Sequence, residues 1–177
     1  MQEVAIKILN TGIEELSKII SLFEQAINLQ SKSGYKVWNK IDKTVLEKDI
    51  ENKLQYKIMN GNNILCIFSV QQNDPLIWRE KDQNDAIYLH RIVVNQNFKG
   101  QKQFEKVLNW GMEYAKQKEL KYIRMDTWAE NEKLITYYKS FGFRFVENFV
   151  TSCSSELPVQ NRNLSLALLE MKLEQTI

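Results

Sequence analysis

Histidine occurs once in this chain and cysteine only twice. With a single imidazole, and with Cys66 and Cys153 at no ligand spacing, the sequence offers no cysteine–histidine zinc site. Cys66 lies in an apolar run and reads as a small core residue. No block of lysine and arginine interrupts the sequence, and the formal net charge is only +2. Such a balance argues against nucleic acid or a membrane surface as the main partner. No apolar run approaches the ~18 residues of a membrane span. The opening MQEVAIKILN lacks the basic and long apolar regions of a secretory leader. A cytoplasmic location is the default expectation. Repeats and low-complexity segments are also missing, so residues 1–177 read as a single domain. What remains is 177 residues, 44% hydrophobic and 26% charged, enough to bury a substantial core.

Periodicity divides the chain into elements. Val4 to Leu9 reads as a strand, and Ile13, Leu16, Ile20, Phe23 and Ile27 follow a helical spacing behind a capping box at Thr11–Glu14. Thr44–Glu47 is a second capping box, whose helix turns Leu46, Ile50 and Leu54 inward. Tyr56–Met59 and Ile64–Val70 form a hairpin around Asn60-Gly61. Gln71 to Asp85, which contains Pro75 and Trp78, reads as a loop or irregular edge. Lys121–Thr127 is a strand, and a helix capped by Asn131 runs through Leu134, Tyr138 and Phe141. Gly142 stands where that helix would end in the left-handed conformation. Phe143–Phe149 and Leu164–Leu173 are strands separated by a loop bearing Pro158. This order predicts a mixed, mostly antiparallel central sheet flanked by helices, an α/β (α+β) domain.

The chain is organised around Ala86 to Tyr114. Six of the eight residues Ala86–Val93 are apolar or aromatic, which marks a largely buried strand. The polar link Asn95-Gln96-Asn97-Phe98-Lys99-Gly100 follows. Phe104, Val107, Leu108, Gly111 and Ala115 then repeat as the apolar stripe of a helix. The free N–H groups at a helix start carry roughly +0.5 of a charge and suit an anionic group such as a phosphate. Gly100 lets the backbone come close, and Lys99 and Lys102 add positive charge. A solvated strand-to-helix connection would look much the same.

A second segment separates the two readings. Asn131-Glu132-Lys133-Leu134-Ile135-Thr136-Tyr137-Tyr138-Lys139-Ser140-Phe141-Gly142-Phe143 resembles the Asn-x-x-Ala-x-x-x-Tyr-x-x-x-Gly-Phe pattern of the GNAT superfamily of acetyl-CoA-dependent N-acetyltransferases, departing only at Leu134. The loop Asn97-Phe98-Lys99-Gly100-Gln101-Lys102 is similar to that family's Gln/Arg-x-x-Gly-x-Gly/Ala, but keeps only Gly100. Lys102 stands where a second small residue is usual.

The resemblance implies a GNAT-like fold and acetyl-CoA as acyl donor, with no metal. Pantetheine would pair with main-chain groups of Ile92, Val93 and Val94. The pyrophosphate would sit on the loop of Asn97, Lys99, Gly100, Gln101 and Lys102, and Asn131 would belong to the donor site. Tyr138 would protonate the departing thiolate, with Tyr137 as the spare candidate. A reference phenol pKa near ~10 keeps such a group protonated at neutral pH. The acceptor, a small-molecule or peptide amine, must lose a proton before it attacks, since an alkylammonium with pKa near ~10.4 is neutral about once in 10³ molecules at pH 7.

His90, with a reference pKa of ~6.5, is a candidate base. Glu80, Asp85 and Asp126 are its alternatives, and a structural histidine is an equal reading. Tyr35, Trp38, Trp78 and Trp128 are candidates for walls of an acceptor pocket or for local packing. Trp110 reads as core, beside a Gly111 that suggests close helix–sheet approach. An inactive GNAT-like domain that binds acyl-CoA or a protein partner is the alternative function. Oligomeric state, a homodimer included, stays open.

Overall fold

The structure is a computed structural model that describes residues 5–34, 36–38 and 40–174. Val4 and Tyr35 lie outside the described residues. In chain order the elements are β1 (Ile6–Asn10), α1 (Leu16–Ser31), α2 (Lys43–Glu51), β2 (Gln55–Asn60), β3 (Asn63–Gln71), α3 (Pro75–Trp78), β4 (Ala86–Val94), α4 (Gln103–Gln117), β5 (Tyr122–Trp128), α5 (Glu132–Lys139), β6 (Arg144–Val150) and β7 (Ser165–Lys172). The strand order is β1-β2-β3-β4-β5-β7-β6. β4 and β5 run parallel, while the β1–β2, β2–β3, β5–β7 and β6–β7 ladders are antiparallel. The expected mixed, mostly antiparallel sheet with flanking helices is therefore observed.

Contacts group the chain into two compact units. The first comprises residues up to Val70 together with Arg91–Trp110. The second comprises Gln71–His90 and the chain from Gly111 onward. β4 passes from one unit to the other between His90 and Arg91, and α4 does so between Trp110 and Gly111.

In the first unit the apolar stripe of α1 supplies Ile19, Leu22, Phe23 and Ala26 to a cluster that also holds Leu46, Ile67 and Val93. Each large side chain buried there contributes on the order of 1.5–3 kcal/mol. Trp110 packs against Tyr56 and Phe68 with ring centroids 4.5 and 5.2 Å away, so it is a packing residue, as its helical spacing implies. α2 starts two residues earlier than its apparent capping box, because Asp42 and not Thr44 is the N-cap, its Oδ1 accepting the Thr44 N–H at 2.9 Å. It ends at Glu51, before Lys53 turns left-handed at φ +57°, and Leu54 lies beyond it.

In the second unit Ile77, Trp78, Ala86, Tyr88, Leu166 and Leu168 form the core on one face of the sheet. Ile87, Leu89 and Ile123 lie against Gly111 of α4. The segment between β3 and β4 is more ordered than its polar composition suggests. Pro75 sits in the first turn of a four-residue helix that drives Trp78 into full burial. Gly142, at φ +101°, takes the left-handed conformation expected at the end of α5.

Candidate active site

The parallel ladder between β4 and β5 runs from Ala86↔Tyr122 to Leu89↔Met125. Two residues later Arg91 adopts φ +49°, a left-handed conformation within a strand. Beyond it, the N–H of Asn95 donates to the carbonyl of Leu65 on β3 at 2.9 Å. Strand alternation therefore turns the N–H groups of Ile92 and Val94 to the opposite edge of β4. Asn95 Oδ1 then accepts the Asn97 N–H at 3.1 Å, tightening a 3-10 turn over Gln96–Phe98.

Gly100 follows at φ +77° and Lys102 at φ +54°, immediately before α4 begins at Gln103. A Cβ on Gly100 would meet nothing within 4 Å, so glycine serves the backbone angle here and not space. Lys102 pays a left-handed penalty of about 1–2 kcal/mol for the same kind of angle. Its ammonium lies 3.5 Å from Glu105 in a pair so exposed that water screens it. Lys106 Nζ bonds the Gln101 carbonyl, and the side chains of Lys99 and Lys102 stay exposed.

In the second unit one imidazole stands between two carboxylates. His90 Nε2 lies 3.2 Å from Asp74 Oδ2, and Nδ1 lies 3.5 Å from Asp126 Oδ2. All three side chains are largely buried, at 14–17% exposure. Carboxylates only accept, so each ring nitrogen serves its neighbour best when it carries a proton. One ligand atom from each of the three residues lies within 4.8 Å of the others, a spacing that would also admit a cation.

Of the three carboxylates considered beside His90, only Asp126 faces it. Glu80 is exposed and pairs with Lys81 and Arg79. Asp85 lies 3.5 Å from Arg124. Asp74 was not foreseeable, since it belongs to a polar stretch sixteen positions upstream of the histidine and meets it only through the fold.

Asn131 caps α5, its Oδ1 accepting the Leu134 N–H at 3.0 Å. The cap places Tyr137 and Tyr138 on the next turn, where Tyr137 is 44% exposed and Tyr138 half-buried. Tyr138 meets Tyr137 at 5.5 Å and Phe143 at 6.5 Å between ring centroids. Among the aromatic wall candidates, Trp78 is fully buried, Trp38 packs edge-on against Phe23 at 6.1 Å, and Trp128 packs on the core of the second unit. Burial pushes the Cys66 thiol up to about 12, which makes it inert as a nucleophile near neutral pH.

The segment that contains β4, the left-handed loop, the imidazole cluster and the capped tyrosine helix matches a known protein family. The profile of the Acetyltransferase (GNAT) family fits residues 23–143. The chain belongs to this family. Among curated GNAT relatives it is 32% identical over 73 residues to the "Uncharacterized N-acetyltransferase YesJ" of Bacillus subtilis (strain 168), a stretch covering 41% of each protein. The alignment thus spans well under half of that relative's length.

Solved GNAT structures superpose over nearly the whole chain. An acetyltransferase of the GNAT family from Listeria monocytogenes 4b F2365 matches with a TM-score of 0.76 at 19% identity, covering 95% of both chains. The putative acetyltransferase yncA from Salmonella typhimurium, solved with acetyl-CoA, matches with a TM-score of 0.65 at 14% identity over 97% of this chain and 96% of that one. At such identities the likeness establishes the GNAT fold.

Proposed function

We propose that this chain transfers the acetyl group of acetyl-CoA to an amine, on a small molecule or a peptide, by direct attack. The observation that carries the reading is the loop backbone. Gly100 and Lys102 are both left-handed, at the two positions where the family motif calls for small residues, and α4 starts directly after them. A turn of that shape presents consecutive N–H groups at a helix start, which suits a pyrophosphate. The chain keeps the turn even where its sequence departs from the motif.

In this reading the main chain of Ile92, Val93 and Val94 pairs with pantetheine, and the outward N–H groups of Ile92 and Val94 polarise the thioester carbonyl. The amine proton passes to the His90–Asp126 pair, with Asp74 holding the other ring nitrogen. The neutral amine attacks the carbonyl carbon, a C–N bond forms, and the C–S bond breaks. The Tyr138 phenol gives its proton to the departing thiolate, and the phenolate regains one from the second proton that the nitrogen sheds once the C–N bond has formed. The inert thiol of Cys66 agrees with direct transfer.

Calorimetric titration with acetyl-CoA, followed by a thiol-release assay over an amine panel, tests the reading. Saturable binding and turnover of at least one amine are expected. Binding without turnover would instead favour an inactive GNAT-like domain, and no binding would end both readings. Tyr138→Phe is expected to lower kcat by roughly 10²-fold and to leave acetyl-CoA affinity within a few-fold of wild type. A fully active Phe variant removes Tyr138 from the mechanism.

A further inference from the structure

The left-handed residue in β4 is an arginine, and its side chain reaches a partner on a different element. Arg91 Nη2 donates to Asp49 Oδ2 of α2, and both side chains are at least nine-tenths buried. Arg91 Nε is buried with no hydrogen-bond partner among the described residues, so Asp49 is the group that compensates the guanidinium. Taking both charges out of water is expensive, and an apolar pair of like volume would pack α2 on the sheet equally well. Leu46 and Val93, beside the pair, already do so.

What the ion pair adds is direction. A non-glycine residue at φ +49° is strained and persists only where its surroundings enforce it. A guanidinium anchored on the buried face of α2 supplies that constraint. The residue it anchors lies directly before Ile92 and Val94, whose N–H groups turn away from β3.

We propose that Asp49 is a positioning residue: its ion pair with Arg91 holds the kink in β4 that aims the Ile92 and Val94 N–H groups at the donor's acyl carbonyl. The proposal rests on the acetyl-CoA reading above. It assigns to α2, which contributes none of the residues expected to touch the donor, a role in setting the rate.

Two double variants separate geometry from charge, because both remove the ion pair without leaving a lone buried charge. In Asp49→Ala/Arg91→Ala nothing holds an L-residue left-handed, so φ at 91 should revert to the extended range. Turnover should then fall at least ~10-fold with acetyl-CoA affinity within about threefold, as expected of a small misplacement at the reacting carbon. Asp49→Ala/Arg91→Gly restores a residue indifferent to the sign of φ and should recover turnover to within about threefold of wild type.

Crystal structures of both variants read φ at 91 directly. A positive φ in the double-alanine variant overturns the proposal whatever the kinetics. So does an extended φ with unchanged kcat, or a glycine variant as slow as the alanine one. If the wild type turns over no amine, the functional reading fails while φ at 91 still decides whether the ion pair makes the kink.

Discussion

Two neighbouring rungs of the second unit's sheet hold polar clusters of opposite character. On one rung, Tyr88 of β4 faces Arg124 of β5. Arg124 Nε donates to Glu170 at 2.8 Å, while its Nη1 donates to the Lys81 carbonyl at 2.6 Å and to the Tyr88 hydroxyl at 3.1 Å. The Tyr88 hydroxyl in turn donates to Asp82 at 2.7 Å. Rings of Trp78 and Tyr122 lie 4.9 Å from the guanidinium carbon. Burial, aided by the bond to Asp82, pushes the Tyr88 hydroxyl far above its usual range, so it keeps its proton. Burial works against the Arg124 charge, and the bonds to Glu170 and Tyr88 more than restore it.

Two residues along each strand, on the same face, His90 and Asp126 meet at a looser 3.5 Å. The first cluster has short bonds and a tyrosine held in its protonated form. The second has longer contacts around the chain's only histidine, and under the proposed function it is the one that exchanges a proton.

The largest expected effect lies on the satisfied rung. Arg124→Ala leaves Glu170 buried, with the exposed Arg144 beside it at 2.6 Å, and removes one donor to the Tyr88 hydroxyl, which keeps its bond to Asp82. Breaking a buried pair from one side costs about 3–5 kcal/mol. A fall in melting temperature of many degrees is expected, measured by thermal denaturation. An unchanged melting curve would dissolve the distinction between the rungs.

The looser rung should answer in rate instead. His90→Gln and Asp126→Asn are each expected to lower kcat/KM by roughly 10- to 10²-fold, the usual worth of a general base, with melting temperatures near wild type. The histidine variant should also flatten the acid limb of the pH–rate profile, since it removes the imidazole that the proposed mechanism uses as base. Because the same atoms could hold a cation, the wild-type rate is compared with and without chelator and should not change. A chelator-sensitive rate, or a Gln variant with an intact acid limb, would take His90 out of proton transfer.

How much of this was legible in the sequence depends on whether a feature repeats. β4 and α4 announce themselves through composition and a 3.6-residue stripe, and the observed elements follow that reading closely. His90 and Asp126 could each be named because strand alternation places them, but nothing in the sequence says that they meet. Asp74 and Asp49 left no signal, since a carboxylate in a loop or on a short helix looks like a solvated one until the chain closes over it. The α3 segment was hidden for a related reason: four residues cannot show a period. Lys102 read as a departure from the glycine pattern, yet its backbone keeps the left-handed angle, because the loop closes around positions on either side of it.

The smallest expected effect serves as a control where α4 meets aliphatic side chains of the sheet. Gly111 of α4 was expected to mark close helix–sheet approach. A Cβ there would meet Ile87, Ile123 and Leu89 side chains at 3.7–3.8 Å, which is ordinary contact distance. Room therefore exists for a methyl group. Glycine within a helix is about 0.8–1 kcal/mol less favourable than alanine, largely through the freedom it retains when unfolded. Gly111→Ala should stabilise the chain by about 0.5–1 kcal/mol in denaturant unfolding and leave the pH–rate profile in place. Destabilisation would mean that the helix cannot give even a few tenths of an ångström. A shifted acid limb would mean that this aliphatic contact reaches the imidazole rung, and that the two are not as separate as their chemistry implies.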